Sequence, residues 1–165
     1  MSHIPVLLHE VVTILDPHPG EFIVDGTLGG GGHAQALIER LRGRGTFLGI
    51  EGNERSLTAT ASRLNDLLRT LGSHVRFIAA HANFGDLPTL LQRYRLPNPD
   101  VVLLDLGFSS LELGTVSGLS FLRDEPLDMR YGVFAGDRSA ADLVNREPKE
   151  MLARLIATFG EERYA

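Results

Sequence analysis

Apolar positions between residues 21 and 105 alternate between two spacings, which predicts strands and helices in turn. Four short segments are rich in apolar residues, as buried strands are; they span residues 21–25, 46–51, 75–79 and 101–105. Three longer segments carry apolar residues at steps of three and four, as amphipathic helices do; they span residues 33–42, 54–71 and 84–94. Alternating strands and helices predict an α/β fold with a parallel sheet that is covered on both faces.

The fourth predicted strand raises the question of what pairs with it. Residues 101–104 are apolar at every position, which is typical of a central strand and not of an edge. No strand pattern follows: a loop is predicted for residues 106–138, short helices for residues 139–145 and 148–159, and the opening of another helix for residues 161–165. Because an unpaired apolar edge promotes aggregation, we expect that another polypeptide covers it or that the chain is a fragment.

Composition limits the class of protein. Of the 165 residues, 43% are hydrophobic and 22% are charged, which is typical of a folded globular domain. No apolar run approaches the roughly 20 residues that a membrane-spanning helix needs. The chain has no cysteine, and its six histidines show no metal-ligand spacing. We therefore expect a cytoplasmic protein without disulfides or bound metal, and the net charge of −5 disfavours nonspecific binding to nucleic acid.

A glycine-rich segment after the first predicted strand indicates a cofactor site. Residues 25–33 have the sequence Asp-Gly-Thr-Leu-Gly-Gly-Gly-Gly-His and lie between a strand and a helix. Glycines let the backbone approach a ligand closely, and a helix start offers N–H groups that lack intrahelical partners. Glu51 follows Gly31 by 20 positions and ends the second predicted strand, where a carboxylate can accept hydrogen bonds from a ribose. This order predicts an adenosine-containing cofactor.

Three carboxylates are expected at one edge of the sheet. Asp25, Glu51 and Asp105 end the first, second and fourth predicted strands, and the carboxyl ends of parallel strands share an edge. Gathered negative charge repels phosphate groups and favours a cation. S-adenosylmethionine, a sulfonium compound, therefore fits better than a pyrophosphate-bearing dinucleotide, and methyl transfer fits better than hydride transfer. Two roles stay open for Asp25, ligand contact or capping of the glycine loop, and two for His33, ligand contact or capping of the helix.

Several motifs, taken together, resemble those of a known family. They are His3-Ile4-Pro5-Val6-Leu7-Leu8, Asp25-Gly26-Thr27, Gly31-Gly32-His33, Asp105-Leu106-Gly107, Ser109-Ser110, Pro126-Leu127-Asp128-Met129-Arg130 and Gly160-Glu161-Glu162-Arg163. In this order the chain resembles the MraW family, the bacterial 16S rRNA cytosine-N4 methyltransferases. The resemblance implies a class I, Rossmann-like, S-adenosylmethionine-dependent methyltransferase fold with an inserted helical domain for RNA recognition. It assigns residues 1–105 to the methyltransferase core and residues 106–165 to a loop and the start of the insertion.

The resemblance also implies roles for individual residues. Contacts with S-adenosylmethionine are implied for Gly31, Gly32, His33, Glu51, Phe84, Asp105 and Glu112. Phe84 is expected near the adenine, which its apolar ring suits. Asp105 is also the candidate catalytic residue, the acceptor that holds the N–H groups of a cytidine N4 amine once the base is unstacked. The implied partner is 16S rRNA in the small ribosomal subunit.

The chain departs from the family pattern at two site positions and in length. Family members usually carry Asp where this chain has Glu51, and Pro-Gln where it has Leu111-Glu112. They also continue beyond the position of residue 165, complete the insertion and return to the sheet, so we expect a truncated chain with an incomplete parallel sheet. Two other functions stay open at this point: a catalytically silent RNA- or ribosome-binding remnant, and an NAD-type oxidoreductase.

Overall fold

A four-stranded parallel sheet organises the first part of the chain. In this computed structural model, residues 5–107, 117–120, 122–130 and 138–164 are described. The strands lie in the order β3-β2-β1-β4 and comprise β1 (Phe22–Asp25), β2 (Thr46–Glu51), β3 (Arg76–His81) and β4 (Val101–Leu103). All three strand pairs are parallel. The predicted Rossmann-like α/β class is therefore confirmed.

The strand order reverses direction beside β1. From β1 the chain steps outward to β2 and then β3, and it then crosses to the opposite side of β1 to form β4. In open α/β sheets, the helices leave such a reversal point on opposite faces and open a crevice at the carboxyl ends of the strands. The carboxyl ends of β1 and β4 are thus the place in this fold where a ligand site is expected.

Helices cover both faces of the sheet, and they comprise α1 (Leu8–Leu15), α2 (Gly32–Arg40), α3 (Glu54–Thr70) and α4 (Leu87–Tyr94), the last preceded by a 3-10 turn at Phe84–Asp86. Ile23 of β1 points into a core shared with α1, α2 and α3. Its neighbours Phe22 and Val24 point to the other face, where Leu90 of α4 packs. This alternation follows from the two-residue period of a strand.

Helix α1 is an element that the sequence analysis did not predict. Its buried or half-buried residues recur at steps of three and four, the spacing of one helical face: Leu8, Val11, Val12 and Leu15. The helix spans only eight residues. Two left-handed residues, Leu7 and Asp16, bound it, and neither is a residue type that announces a helix end in a sequence.

Strand β4 leaves an apolar edge unpaired among the described residues, as the sequence pattern indicated. Among the described residues it pairs with β1 alone and therefore lies at the edge of the sheet. Val102 remains 43% exposed and Leu104 remains 46% exposed. The strand also ends at Leu103, two residues before the predicted end. The apolar composition that suggested a central position corresponds to apolar surface that the described residues leave open.

Residues 108–165 form a second compact unit, distinct from the unit Met1–Gly107. Its described helices are α5 (Ala140–Arg146) and α6 (Lys149–Phe159). A capping box opens α5, in which Ser139 and Asp142 each bind the other's backbone N–H. The helix expected at 161–165 does not form in residues 161–164, where the chain turns. Glu161 adopts a left-handed conformation (φ 54°), which interrupts the helical path after Gly160.

Neither a membrane span nor a metal cluster is found among the described residues. None of their helices combines the length and the apolar character required to cross a bilayer. Within the same residues, no group of three or more His, Asp or Glu side chains is arranged to hold a metal ion.

Candidate cofactor site

Three carboxylate residues lie together at the carboxyl ends of the strands, as the sequence predicted. Asp25 is the last residue of β1, Glu51 is the last residue of β2, and Asp105 follows β4 by two positions. Both Glu51 and Asp105 act electrostatically on Asp25, raising its pKa. The turn that leaves β1, residues 26–31, passes beside all three and leads into α2; we call it the glycine loop.

Asp25 holds the start of the glycine loop. Its carboxyl is 1% exposed, and its Oδ1 accepts the backbone N–H of Thr27 at 3.0 Å and the Thr27 hydroxyl at 3.4 Å. Burial raises the pKa of Asp25 to about 7, against the lowering effect of these two hydrogen bonds. The sequence left two roles open for Asp25, ligand contact and capping of the glycine loop. Its described contacts are those of loop capping.

Thr27 joins Asp25 to the loop that follows β4. While its hydroxyl donates to Asp25, its oxygen accepts the backbone N–H of Asp105 at 2.8 Å. The backbone N–H of Gly26 donates to Leu103 at 2.9 Å, one step earlier along the same two segments. The backbone of Asp105 is therefore fixed to the glycine loop, whereas its side chain is 54% exposed and faces solvent for much of its surface.

Glu51 anchors the other side of the loop. It is 3% exposed, its Oε2 accepts the N–H of Gly29 at 2.9 Å, and its Oε1 accepts the N–H of Asn53 at 2.8 Å. Asn53 in turn caps α3 by accepting the N–H groups of its first turn. A carboxylate oxygen can accept more than one hydrogen bond, so these contacts leave the predicted ribose role compatible with the geometry.

The glycine loop is held by α3 as well. Thr60 donates its hydroxyl to the carbonyl of Gly29 at 2.7 Å, and Arg63 donates to the carbonyl of Gly30. Gly31 has φ +68°, and a β carbon there would lie 2.6 Å from Thr60 Cγ2. A β carbon on Gly32 would collide with Pro5. Gly31 is therefore required because its backbone is left-handed, and Gly32 is required because Pro5 packs closely against it.

His33 bridges the N-terminal segment and Asp105. It is the second residue of α2 and is 7% exposed. Its Nε2 lies 3.1 Å from the carbonyl oxygen of Val6, and its Nδ1 lies 3.7 Å from Asp105 Oδ2. A carbonyl only accepts hydrogen bonds, so Nε2 carries the hydrogen in this arrangement. The N-cap position of α2 is Gly31, and no side chain forms a hydrogen bond that caps this helix. His33 therefore does not have the capping role that was considered for it.

Phe84 lies at the same end of the sheet. It opens the 3-10 turn after β3, is 42% exposed, and its Cβ is 3.1 Å from the place where a β carbon on Gly26 would lie. An exposed aromatic ring beside the glycine loop offers an apolar surface to a ligand. Glu112, together with Ser109 and Ser110 of the sequence motifs, lies outside the described residues.

Sequence reasoning did not identify the residues that brace the loop. The Asp-Gly turn signals only the bond from the Thr27 N–H to Asp25, because short polar side chains there bind backbone groups two residues away. The contact of Thr27 with the N–H of Asp105 crosses 78 positions. Thr60 and Arg63 had no local signal, since their contacts with Gly29 and Gly30 cross 31 and 33 positions of sequence.

The chain is similar along its length to the proteins of one family. The model of the MraW methylase family matches residues 1–165. The ribosomal RNA small subunit methyltransferase H of Pelobacter propionicus is 43% identical over 166 residues, covering 99% of this chain and 51% of that protein. The enzyme of that name from Syntrophotalea carbinolica is 41% identical over 165 residues, with 99% and 50% covered. The chain thus spans about half the length of these relatives.

Among solved structures, the C-terminal domain of precorrin-6Y C5,15-methyltransferase from Rhodobacter capsulatus is similar at a TM-score of 0.44 and 19% identity. The match covers 66% of this chain and 52% of that one.

Proposed function

Because the chain belongs to the MraW methylase family, we propose that it contains the cofactor-binding part of an S-adenosylmethionine-dependent methyltransferase. The proposed substrate is 16S rRNA in the small ribosomal subunit, and the proposed acceptor is the N4 amine of a cytidine. The observation that supports this most directly is the buried Glu51, whose carboxylate joins the end of β2 to the glycine loop through Gly29.

The residues at the carboxyl ends of the strands fit the proposed cofactor. A loop whose glycines cannot carry side chains, at Gly31 and Gly32, lets a ligand approach the backbone. Glu51 offers acceptors for ribose hydroxyls, and Phe84 offers an apolar face for an adenine. The half-exposed carboxylate of Asp105 favours positive charge over phosphate.

The proposed contacts follow from this arrangement. Gly31, Gly32, His33, Glu51, Phe84 and Asp105 hold the cofactor, and Glu112 is proposed by family resemblance alone. S-adenosylmethionine supplies an electrophilic methyl group on a positively charged sulfur. His33 lies beside Asp105, with its Nδ1 3.7 Å from Asp105 Oδ2.

Asp105 is the proposed catalytic residue. The lone pair of a cytidine N4 amine is delocalised into the ring, so the amine is a poor nucleophile. A carboxylate that accepts its N–H groups orients the nitrogen for in-line attack, and orientation of this kind lowers the barrier. The hydrogen bond from the Asp105 N–H to Thr27 fixes the backbone from which the carboxylate projects. The base must leave its stack to reach this position.

Calorimetry on the 165-residue chain tests the cofactor proposal. We expect S-adenosylmethionine and S-adenosylhomocysteine to bind with dissociation constants in the micromolar range, and NADH to give no heat. Glu51→Gln should weaken the binding of S-adenosylmethionine and of S-adenosylhomocysteine by at least about tenfold. This factor corresponds to the loss of one charge-assisted hydrogen bond. Glu54→Gln, at the exposed start of α3, serves as the control and should bind normally. NADH binding without S-adenosylhomocysteine binding would instead support the oxidoreductase reading.

Asp105→Asn tests the electrostatic part of the proposal. The side chain is isosteric but neutral, so it should weaken binding of the sulfonium compound more than binding of the uncharged thioether. Methyl incorporation into small ribosomal subunits, measured with a chain that first shows activity, should be lost in Asp105→Ala. Retained incorporation would remove Asp105 from the proposed mechanism.

A further inference from the structure

Several arginines lie at the amino ends of the strands, which is the end of the sheet opposite the candidate cofactor site. The proposed function does not use them. The residues involved lie where α2 and α3 end and where β2 and β3 begin, and we call them the arginine surface: Arg40, Arg42, Arg44, Arg69, His74 and Arg76. All six are exposed. Residues 1–107 contain nine arginines and no lysine, so more than half of their fixed positive charge lies here.

Backbone contacts bring these residues together. The N–H of His74 donates to the carbonyl of Gly43 at 3.1 Å, and the N–H of Arg76 donates to Gly45 at 2.9 Å. The turn after α2 and the turn after α3 are therefore in direct contact. Between them lies a surface depression of about 530 Å³, whose lining includes Arg42, Arg44 and His74. A second depression of about 630 Å³ adjoins it and includes Arg69 and His74.

The acidic side chains nearby offset only part of this charge. Asp66 pairs with Arg69, and Glu39 lines the first depression and accepts a hydrogen bond from Gln35. In the part of the chain that the structure describes, neither Arg42 nor Arg44 forms an ion pair with a carboxylate. Glu21 adds a third carboxylate beside this turn, since its carbonyl accepts the N–H of Thr46 and the N–H of Gly20 donates to Arg44. Five arginines against three carboxylates leave a local excess of positive charge in a chain whose net charge is −5.

The arginine surface and the candidate cofactor site lie at opposite ends of the domain. Asp25, Glu51 and Asp105 lie at the carboxyl ends of the strands, whereas the arginine surface lies at the amino ends. The six residues of β2 separate the two by about 20 Å. An RNA that presents a base to the candidate cofactor site brings its phosphates with it, and the half-exposed carboxylate of Asp105 there disfavours them. Favourable phosphate contacts must then come from another part of the surface.

We propose that the arginine surface binds the phosphate backbone of RNA, as a second contact for the substrate about 20 Å from the candidate cofactor site. The inference rests on the proposed function for the identity of the RNA. Guanidinium groups match phosphate oxygens with two parallel hydrogen bonds and stay charged at all relevant pH values. Phosphate contacts fix the position of a nucleic acid without selecting its sequence.

A charge-reversal experiment on the full 165-residue chain tests this proposal. The probe is a fluorescein-labelled single-stranded RNA of about 20 nucleotides, long enough for a nonspecific site, and binding is followed by anisotropy from low to moderate salt. The test variant is Arg42→Glu/Arg44→Glu. The control is Arg93→Glu/Arg95→Glu, at the end of α4. The two pairs share their spacing, exposure and charge change, and each includes one left-handed residue, Arg42 (φ 47°) and Arg95 (φ 52°).

The expected result is specific to the first pair. Each phosphate contact on a single strand contributes about 0.7 to the slope of log affinity against log salt, so losing two should reduce that slope by about 1.4. At about 0.1 M salt the corresponding loss of affinity is roughly 10- to 25-fold. The control pair should change the affinity less than threefold and leave the slope unchanged.

Several outcomes would overturn the proposal. Equal losses in the two variants would mean that only net charge matters, and no RNA binding by the unmodified chain would remove the surface from consideration. Displacement of the RNA by millimolar inorganic phosphate at constant ionic strength would indicate a small-anion site instead. Calorimetry with S-adenosylhomocysteine on each variant separates this test from that of the proposed function. If Arg42→Glu/Arg44→Glu binds both the cofactor product and RNA normally, the result contradicts the proposal for the arginine surface and leaves the proposed function unaffected.

Discussion

Replacing Asp25 by Asn should change how the stability of this protein depends on pH. Burial raises the pKa of Asp25 from its ordinary value of 3.8 to about 7, so the native state holds this proton more tightly than the unfolded state does. The contribution of Asp25 to stability is then most favourable below pH 3.8 and declines as the pH rises towards 7. This is the reverse of the behaviour of a salt-bridged aspartate.

The size of the effect follows from the shift. About three pKa units correspond to roughly 4 kcal/mol of lost stability once the pH exceeds 7. Between pH 5 and pH 7.5, linkage gives a loss of about 2–3 kcal/mol. An asparagine keeps an oxygen for the N–H of Thr27 and has no proton to lose, so the variant should lack this slope. Its stability relative to the parent should therefore rise by about 2–3 kcal/mol over that interval.

Urea unfolding followed by circular dichroism measures this difference. At a typical urea dependence for a small domain, the midpoint of Asp25→Asn should gain about 1–2 M on the parent between pH 5 and pH 7.5. Asp86→Asn, at an exposed position, controls for the general effect of removing one negative charge. A constant difference between Asp25→Asn and the parent across this range would refute the reasoning, because it would mean that Asp25 is ionised in the native state throughout.

Three further predictions concern the supports of the glycine loop. Thr27→Val removes the acceptor for the N–H of Asp105, so the free energy of unfolding should fall by about 1–3 kcal/mol and S-adenosylhomocysteine binding should weaken in calorimetry, while Thr27→Ser should restore both. Gly31→Ala should destabilise the chain by more than about 1 kcal/mol, because of its φ of +68° and the nearby Thr60; Gly30→Ala, with no atom within 4 Å of its β carbon, should be tolerated. Asn53→Ala removes the cap of α3 and should lower the thermal midpoint, at a cost of about 0.5–2 kcal/mol; an unchanged midpoint would contradict the cap.

Apart from α1, the order of the core elements was predictable because each had a local signal. The four strands appear where apolar runs predicted them, and α3 matches the predicted helix to within one residue. The second unit was predictable only in part: α5 and α6 follow their apolar spacing, whereas the turn at residues 161–164 depends on the left-handed Glu161. Backbone conformation at a single non-glycine residue leaves little trace in sequence.

The position of β4 could not be obtained from the apolar pattern alone. A run such as residues 101–104 indicates that both faces can be buried, but it does not say which strands lie beside it. The described residues pair β4 only with β1, so Val102 stays exposed. The reversal of strand order beside β1 puts β4 next to β1, and no other strand of the described residues lies on its far side.

The candidate site was predictable as a set of residue types but not as a distribution of charge. The sequence places Asp25, Glu51 and Asp105 at one edge, and counting their charges favours a cationic ligand. In the structure, Asp25 has a pKa of about 7 and is therefore partly neutral near physiological pH. Glu51 directs its oxygens to the N–H groups of Gly29 and Asn53, which offset its charge.

Preference for a cation at the described site therefore depends mainly on Asp105. Its side chain is 54% exposed, so water screens it, and a single screened carboxylate favours a bound cation by only about 1 kcal/mol. Asp105→Asn should accordingly reduce the preference for S-adenosylmethionine over S-adenosylhomocysteine by about fivefold, the equivalent of that energy. A loss of a hundredfold or more would require Asp105 to be shielded from water when the ligand is bound. No change at all would mean that the sulfonium charge is recognised by other groups.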